Sequence, residues 1–287
     1  YLGAQVLIES CKYWGHYPDV LDANAIQRFM ELTHERYRAR LGQHFGTGIL
    51  SCFVDETTPG WSPHLLSDFR QRFGYELASS LPALHEPSHP AHVQVRANLQ
   101  ELQYERFCSV FERPVQQWCQ DAGLRYVGEK NVLRLAQLQF MDIPGGDPGH
   151  TKAGAPHDLL QPTVRQNARA VASAAYFYGK EGALCECFHS LGWSVTLQDT
   201  KLLAEQLLLM GIPYLVPHGF FYTTHALAKH DAPPSFFYQQ PWWPHFGALA
   251  RRLDRIAAAF EGTHIEARVL VIEPTAGLPD ARDRETY

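Results

Sequence analysis

Apolar and polar positions along this chain repeat in one order: amphipathic helix, glycine, short apolar run, polar or aromatic loop. Asp22 caps a stretch running to Tyr37 in which Ile26, Phe29, Met30 and Tyr37 fall on one helical stripe, and Gly42 and Gly46 end it. Residues 65–73 predict a helix stopped by Gly74, and 93–121 predict a long helix with a kink at Pro114 and an end at Gly123. Further helices are predicted over 132–139, 163–178, 198–210 and 247–260. Between them lie short apolar runs that read as buried strands: 49–54, 124–128, 140–142, 183–187, 213–217 and 267–272, with a further strand-like run over 5–9. Residues 81–92, rich in Pro and His, read as an irregular insertion. The Gly145–Gly149 turn cluster opens a second one over 143–162.

Helices alternate with strands, and no hairpin signal appears. That is the pattern of βα units around a parallel sheet, an α/β fold. The expected architecture is a (β/α)₈ TIM barrel. A closed barrel needs eight strands, and six runs have the right context. The expectation is therefore one barrel fragment over 1–287, cut from a longer protein, with two further strands before Tyr1. An open doubly wound sheet is the competing fold. No Gly-rich phosphate loop follows a strand, so a nucleotide-binding version lacks support.

Composition narrows the partners. The 287 residues are 45% hydrophobic and 19% charged, ordinary for a globular protein with a sizeable core. A net charge of −5 argues against nucleic acid or an anionic membrane held by bulk electrostatics. No apolar run approaches the roughly 18 residues needed to span a bilayer. No charged-then-apolar leader follows Tyr1, and cytoplasmic and secreted locations both stay open.

The chemistry suggested by the pattern lies where the strands end. Three apolar runs close on a glutamate, at Glu56, Glu129 and Glu186, with Asp55 beside the first and Asp142 after the 140–142 run. Strand ends form the rim where α/β folds bind ligands. Converging carboxylates there suit glycosidic cleavage: one acid protonates the leaving oxygen, and one carboxylate attacks or activates water. A single strand-end carboxylate is more often a cap or an ion-pair partner; several in succession shift that balance. Glu186 stands out because it sits between Cys185 and Cys187 in an apolar run, where burial raises a carboxyl pKa. Glu273 is weaker, since the chain stops soon after it.

Aromatic residues are 12% of the chain, and many sit in predicted loops. Trp61, Trp193 and Tyr222 are candidate platforms for sugar rings, and His218 a candidate contact to a sugar hydroxyl or a carboxylate. Each reads equally well as packing. The six cysteines lack both disulfide-framework and zinc spacing and read as small buried hydrophobes. No cofactor is demanded by the sequence, and no His pair on a helix face supports a metal-dependent hydrolase.

The runs Phe53-Val-Asp-Glu-Thr, Phe69-Arg-Gln-Arg-Phe-Gly-Tyr-Glu-Leu and Leu81-Pro-Ala-Leu, together with Gly128-Glu129, resemble pieces of bacterial α-L-rhamnosidase-like glycoside hydrolases (glycoside hydrolase family 106 and unclassified relatives). So do Cys185-Glu-Cys-Phe-His-Ser-Leu-Gly-Trp193, Val216-Pro-His-Gly-Phe-Phe-Tyr222 and Pro233-Pro-Ser-Phe-Phe-Tyr. The resemblance implies a (β/α)₈ catalytic core flanked by β-sandwich domains, acting on a terminal sugar of a glycan. It implies that Glu56 and Glu186 are the acid and base of an inverting hydrolysis, and that calcium assists sugar binding. A second resemblance, to the broad retaining clan that includes β-galactosidases, makes Glu129 the acid/base. That clan's nucleophile would follow the seventh strand, where this chain has His218. A non-catalytic carbohydrate-binding barrel is the remaining alternative.

Overall fold

A computed structural model of the chain describes residues 18–57, 59–129, 134–147, 168–230, 232–263 and 266–270. The chain divides into two compact units, Tyr1–Gln43 with Thr58–Pro114, and His44–Thr57 with Val115–Tyr287.

The first unit is helical. It holds α1 (Ala23–Leu32), α2 (His34–Leu41), α3 (His64–Phe73), α4 (Leu77–His85) and α5 (His92–Phe107). Asp22 caps α1 by accepting the Asn24 N–H at 2.8 Å. The expected single helix to Tyr37 breaks at Thr33, whose hydroxyl donates to the Phe29 carbonyl. Gly74 ends α3 in the left-handed region at φ 78°, as its sequence position foretold. The expected irregular insertion over 81–92 instead begins inside α4. Pro82 lies within that helix, and Leu77, Ala83 and Leu84 are buried on it. The packed stripe outweighs the hydrogen bond that proline cannot make. Leu21, Ile26, Leu65, Phe69, Leu102 and Phe107 supply the core. Arg106 ties it together, donating to the Leu21 carbonyl at 2.6 Å and pairing with Asp68. The long helix expected over 93–121 is interrupted by a π-helical turn, Cys108–Glu112, before α6 (Arg113–Asp121). Pro114 would drive its ring into the carbonyl four residues back, and the wider turn relieves that.

The second unit carries the sheet. Its strands are β1 (Ser51–Asp55), β2 (Arg125–Glu129), β3 (Ile143–Gly146), β4 (Leu184–Cys187) and β5 (Tyr214–Pro217). All neighbours pair in parallel in the order β1-β2-β3-β4-β5, which makes a five-stranded half-barrel sheet. The helices α7 (Ala168–Phe177), α8 (Leu197–Leu209) and α9 (Trp243–Phe260) complete the unit, α9 starting four residues earlier than expected because Pro244 suits its first turn. Among the described residues the sheet has five strands, not the eight of a closed barrel. The run expected over 267–272 is not a strand through residue 270, and the expected strand over 5–9 lies outside the described residues. So do the first residues of the helices expected from 132 and 163, and most of the 143–162 insertion.

The third strand is the main correction. Residues 135–140 form a 3₁₀ helix, and the strand is Ile143–Gly146 rather than 140–142. Its glycines read as a turn, but a Cβ on Gly145 would stand 2.4 Å from the Gly128 carbonyl oxygen and 2.5 Å from Leu184 Cδ1. A Cβ on Gly128 would stand 2.1 Å from the Val54 carbonyl oxygen. The strands approach too closely for side chains there, which is why glycine occupies a strand interior.

Pairing fixes which residues share a face. Val127 pairs with Ile143, Asp55 with Glu129, and Gly145 with Leu184. Alternation then puts Asp55, Glu129 and Glu186 on the same face as the buried Val127–Ile143–Leu184 cluster, Glu129 two residues beyond Val127 and Glu186 two beyond Leu184. Among the described residues, no helix is long and apolar enough to cross a membrane.

Candidate active site at the strand ends

Asp55 is the last residue of β1, and Glu129 the last of β2, directly beside it. Glu56 follows at φ 43°, in the left-handed region that a glutamate rarely adopts. Its N–H donates to the Glu129 carbonyl at 3.0 Å, which holds that turn. Carboxylate oxygens of Asp55, Glu56 and Glu129 all lie within 4.8 Å of one another. Asp55 and Glu56 are exposed, whereas Glu129 is buried. Three oxygen donors at that spacing fit a hard cation such as calcium, whose ligands sit about 2.3–2.6 Å from the ion.

Glu186 projects from β4 between two buried cysteines. Its carboxyl is pushed up to about 7, first by burial and then by the negative charges of Asp55, Asp147 and Glu56; His189 pulls the other way. The two cysteines face away from it by strand alternation, so the half-buried Glu186 carboxyl meets like charge rather than an apolar wall.

Two residues at this rim were missed. Asp147 follows the true β3 and is buried; it obeys the same strand-then-carboxylate rule, hidden by the misread glycines. His189 follows β4 by two residues, with its Nδ1 3.0 Å from Asp147 Oδ1. The pair is close enough for ion pairing but is not aligned as a hydrogen bond. Nothing local in the sequence signals a contact between positions so far apart.

The other expected site residues fall in several places. Asp142 precedes β3 and so lies at the opposite end of the sheet, where Oδ2 accepts the Tyr126 N–H at 2.8 Å. His218 follows β5 at the rim, with ring centroids 6.0 Å from both His189 and Phe221. Trp193, in the loop after β4, donates its indole N–H to the Lys229 carbonyl at 2.9 Å. Tyr222 is 91% exposed, and its carbonyl accepts the Tyr238 hydroxyl. Trp61 belongs to the helical unit.

No protein-family model matches the sequence, and no curated protein does. Among solved structures the chain is similar to a rhamnosidase from Novosphingobium sp. PP1Y, with a TM-score of 0.64 and 19% identity over 85% of this chain. This chain spans 25% of the length of that one. At such identity the likeness is one of fold, a rhamnosidase-like α/β architecture.

Proposed function

We propose that the carboxylate rim is the catalytic centre of a glycoside hydrolase acting on a terminal, rhamnoside-like sugar. The observation that carries this reading is the Glu186 carboxyl, held near 7 by burial and by Asp55, Asp147 and Glu56. A carboxyl that keeps its proton near neutrality is what a general acid needs.

In this reading Glu186 passes its proton to the glycosidic oxygen as the bond from that oxygen to the anomeric carbon breaks. Glu56, exposed and held in its strained turn, takes a proton from a water whose oxygen bonds to the anomeric carbon. That is an inverting hydrolysis. Asp55 and Glu129 then orient the sugar hydroxyls, His218 borders the site, and Trp193 and Tyr222 contact the glycan farther out. Flanking β-sandwich domains in the complete protein belong to the same proposal.

A second role for the same group is favoured by its spacing. Asp55, Glu56 and Glu129 fit calcium, which when bound would grip sugar hydroxyls electrostatically. With the cation present, Glu56 serves as its ligand, and water activation falls to another carboxylate. Loss of turnover on chelation, restored by calcium, supports that arrangement; unchanged turnover returns Glu56 to the base.

The function itself is tested with the complete protein on a panel of aryl glycosides that includes 4-nitrophenyl α-L-rhamnoside. Turnover of at least one, lost by orders of magnitude in Glu186→Gln with the fold intact, is the expected result. A folded protein that binds sugars and hydrolyses none would instead be a carbohydrate-binding barrel.

A further inference from the structure

We propose that His189, paired with Asp147, is a positioning residue for Glu186: the two fix the charge environment in which that carboxyl works. This rests on the reading of Glu186 as the acid but concerns His189, which that reading left without a role.

Three observations carry it. His189 Nδ1 lies 3.0 Å from Asp147 Oδ1, and both side chains are largely buried, at 15% and 8% exposure. A histidine–carboxylate contact so removed from water is screened little by salt. Second, the backbone on both sides of His189 is strained: Phe188 has φ 77° and Ser190 φ 62°. A left-handed phenylalanine is a genuine outlier, kept only where surrounding structure over-determines it. Here Phe188 is fully buried against Phe236 at 5.2 Å, and the Ser190 and Gly192 N–H groups donate to the Ala232 and Pro233 carbonyls. The turn is thus held from outside in the shape that delivers His189 to Asp147. Third, the sheet sets Asp147 beside Glu186: Gly146 pairs with Cys185, and Asp147 and Glu186 are the next residues along the two neighbouring strands. There Asp147 favours the neutral form of Glu186, and a protonated His189 its ionised form. Asp55 and Glu56 also bear on Glu186, and the His218 ring lies 6.0 Å from that of His189.

When His189 carries its second proton, the two groups beside the acid have opposite charge and act as a trim. It lets the acid keep its proton near neutrality and still release it on demand. A plain structural ion pair would not care which partner is removed.

The test is a carboxyl titration of Glu186, followed by ¹³C NMR with chelator present, in wild type, Asp147→Asn and His189→Gln. The Glu186→Gln variant assigns the signal, and melting temperature is recorded for each protein. The expected midpoint moves down in Asp147→Asn and up in His189→Gln, each by about half a pH unit or more. The pH–rate profile on whichever aryl glycoside is turned over shifts in the same two directions. Unmoved midpoints, or shifts of one sign in both variants, overturn the proposal even if melting temperatures fall. Opposed shifts in a protein that hydrolyses no glycoside retain the pairing and remove the hydrolase reading. Turnover that needs Glu186 but ignores both substitutions does the reverse.

Discussion

Both ends of the parallel sheet carry carboxylates, and the two ends use them differently. Below the strands, Asp142 accepts the Tyr126 N–H, and Glu181 accepts both Arg125 Nε at 2.5 Å and the Tyr214 hydroxyl at 3.1 Å. Lys180 nearby donates to the Gln139 carbonyl. Each acid there faces a donor, so its charge supports the fold. Above the strands, Asp55, Glu56 and Asp147 bear on Glu186 with like charge, and its carboxyl rises to about 7. Charge is satisfied at one end and concentrated at the other. In a parallel sheet the concentrated end is the one where the strand C-termini open into loops, and loops can be re-shaped around a ligand without disturbing the pairing below.

The largest contrast is expected between matched substitutions at the two ends. Glu186→Gln should lower kcat on the responsive aryl glycoside by about 10²–10⁴-fold while changing the melting temperature little. Asp142→Asn should do the opposite. Turnover per folded molecule stays at the wild-type level, while a neutral amide oxygen in place of the charged acceptor of the Tyr126 N–H costs about 1 kcal/mol in denaturant titration. Equal losses of activity in both would erase the distinction.

Next in size is Gly128→Ala. The added carbon meets the Val54 carbonyl at 2.1 Å, and φ is 150°, so the strands must part or the backbone shift. About 3 kcal/mol or more of destabilisation is expected in equilibrium unfolding. Asp55 and Glu129 are set side by side by that spacing, so the rim should fail with it.

A smaller effect comes from pH. The folded Glu186 carboxyl, at about 7, is raised above its ordinary 4.5. The native state then holds the proton more tightly than the unfolded chain. This contribution is fully present below about 4.5 and is lost as pH rises through 7. Removing the carboxyl removes that loss. Glu186→Gln should therefore gain on wild type above pH 7 by about 1 kcal/mol, a figure discounted because the half-buried carboxyl is partly screened by solvent. The gain should vanish near pH 4.5 in paired unfolding curves. The smallest effect belongs to the lower end: Glu181→Gln breaks a solvent-exposed pair and should cost about 0–1 kcal/mol.

Much of this arrangement is legible in the chain, for a physical reason. The runs 124–129 and 183–187 form the buried strands β2 and β4, and buried parallel strands read that way. The runs 49–54 and 213–217 also hold strands, but at the two ends of the sheet order those are exposed or half-buried rather than buried. The β3 strand is not legible, because Ile143-Pro-Gly-Gly carries the two residues that sequence logic gives to turns. Only the close approach of β2 and β4 explains them. Asp147 was lost with that strand, and Asp142 was put at the wrong end of it. Helix α4 was obscured by Pro82 in the same way, since its buried Leu77, Ala83 and Leu84 count only once a neighbour exists to pack on. His189 illustrates a different gap. Its motif stands in the sequence, but its partner is 42 positions earlier in the chain, at Asp147, and only folding joins them.

The central claim is that Glu186 is an acid kept protonated near neutrality by the rim around it. Its carboxyl titration in the wild-type protein tests this most directly. A midpoint near 7 is the predicted result; a midpoint near the ordinary 4.5 would contradict it.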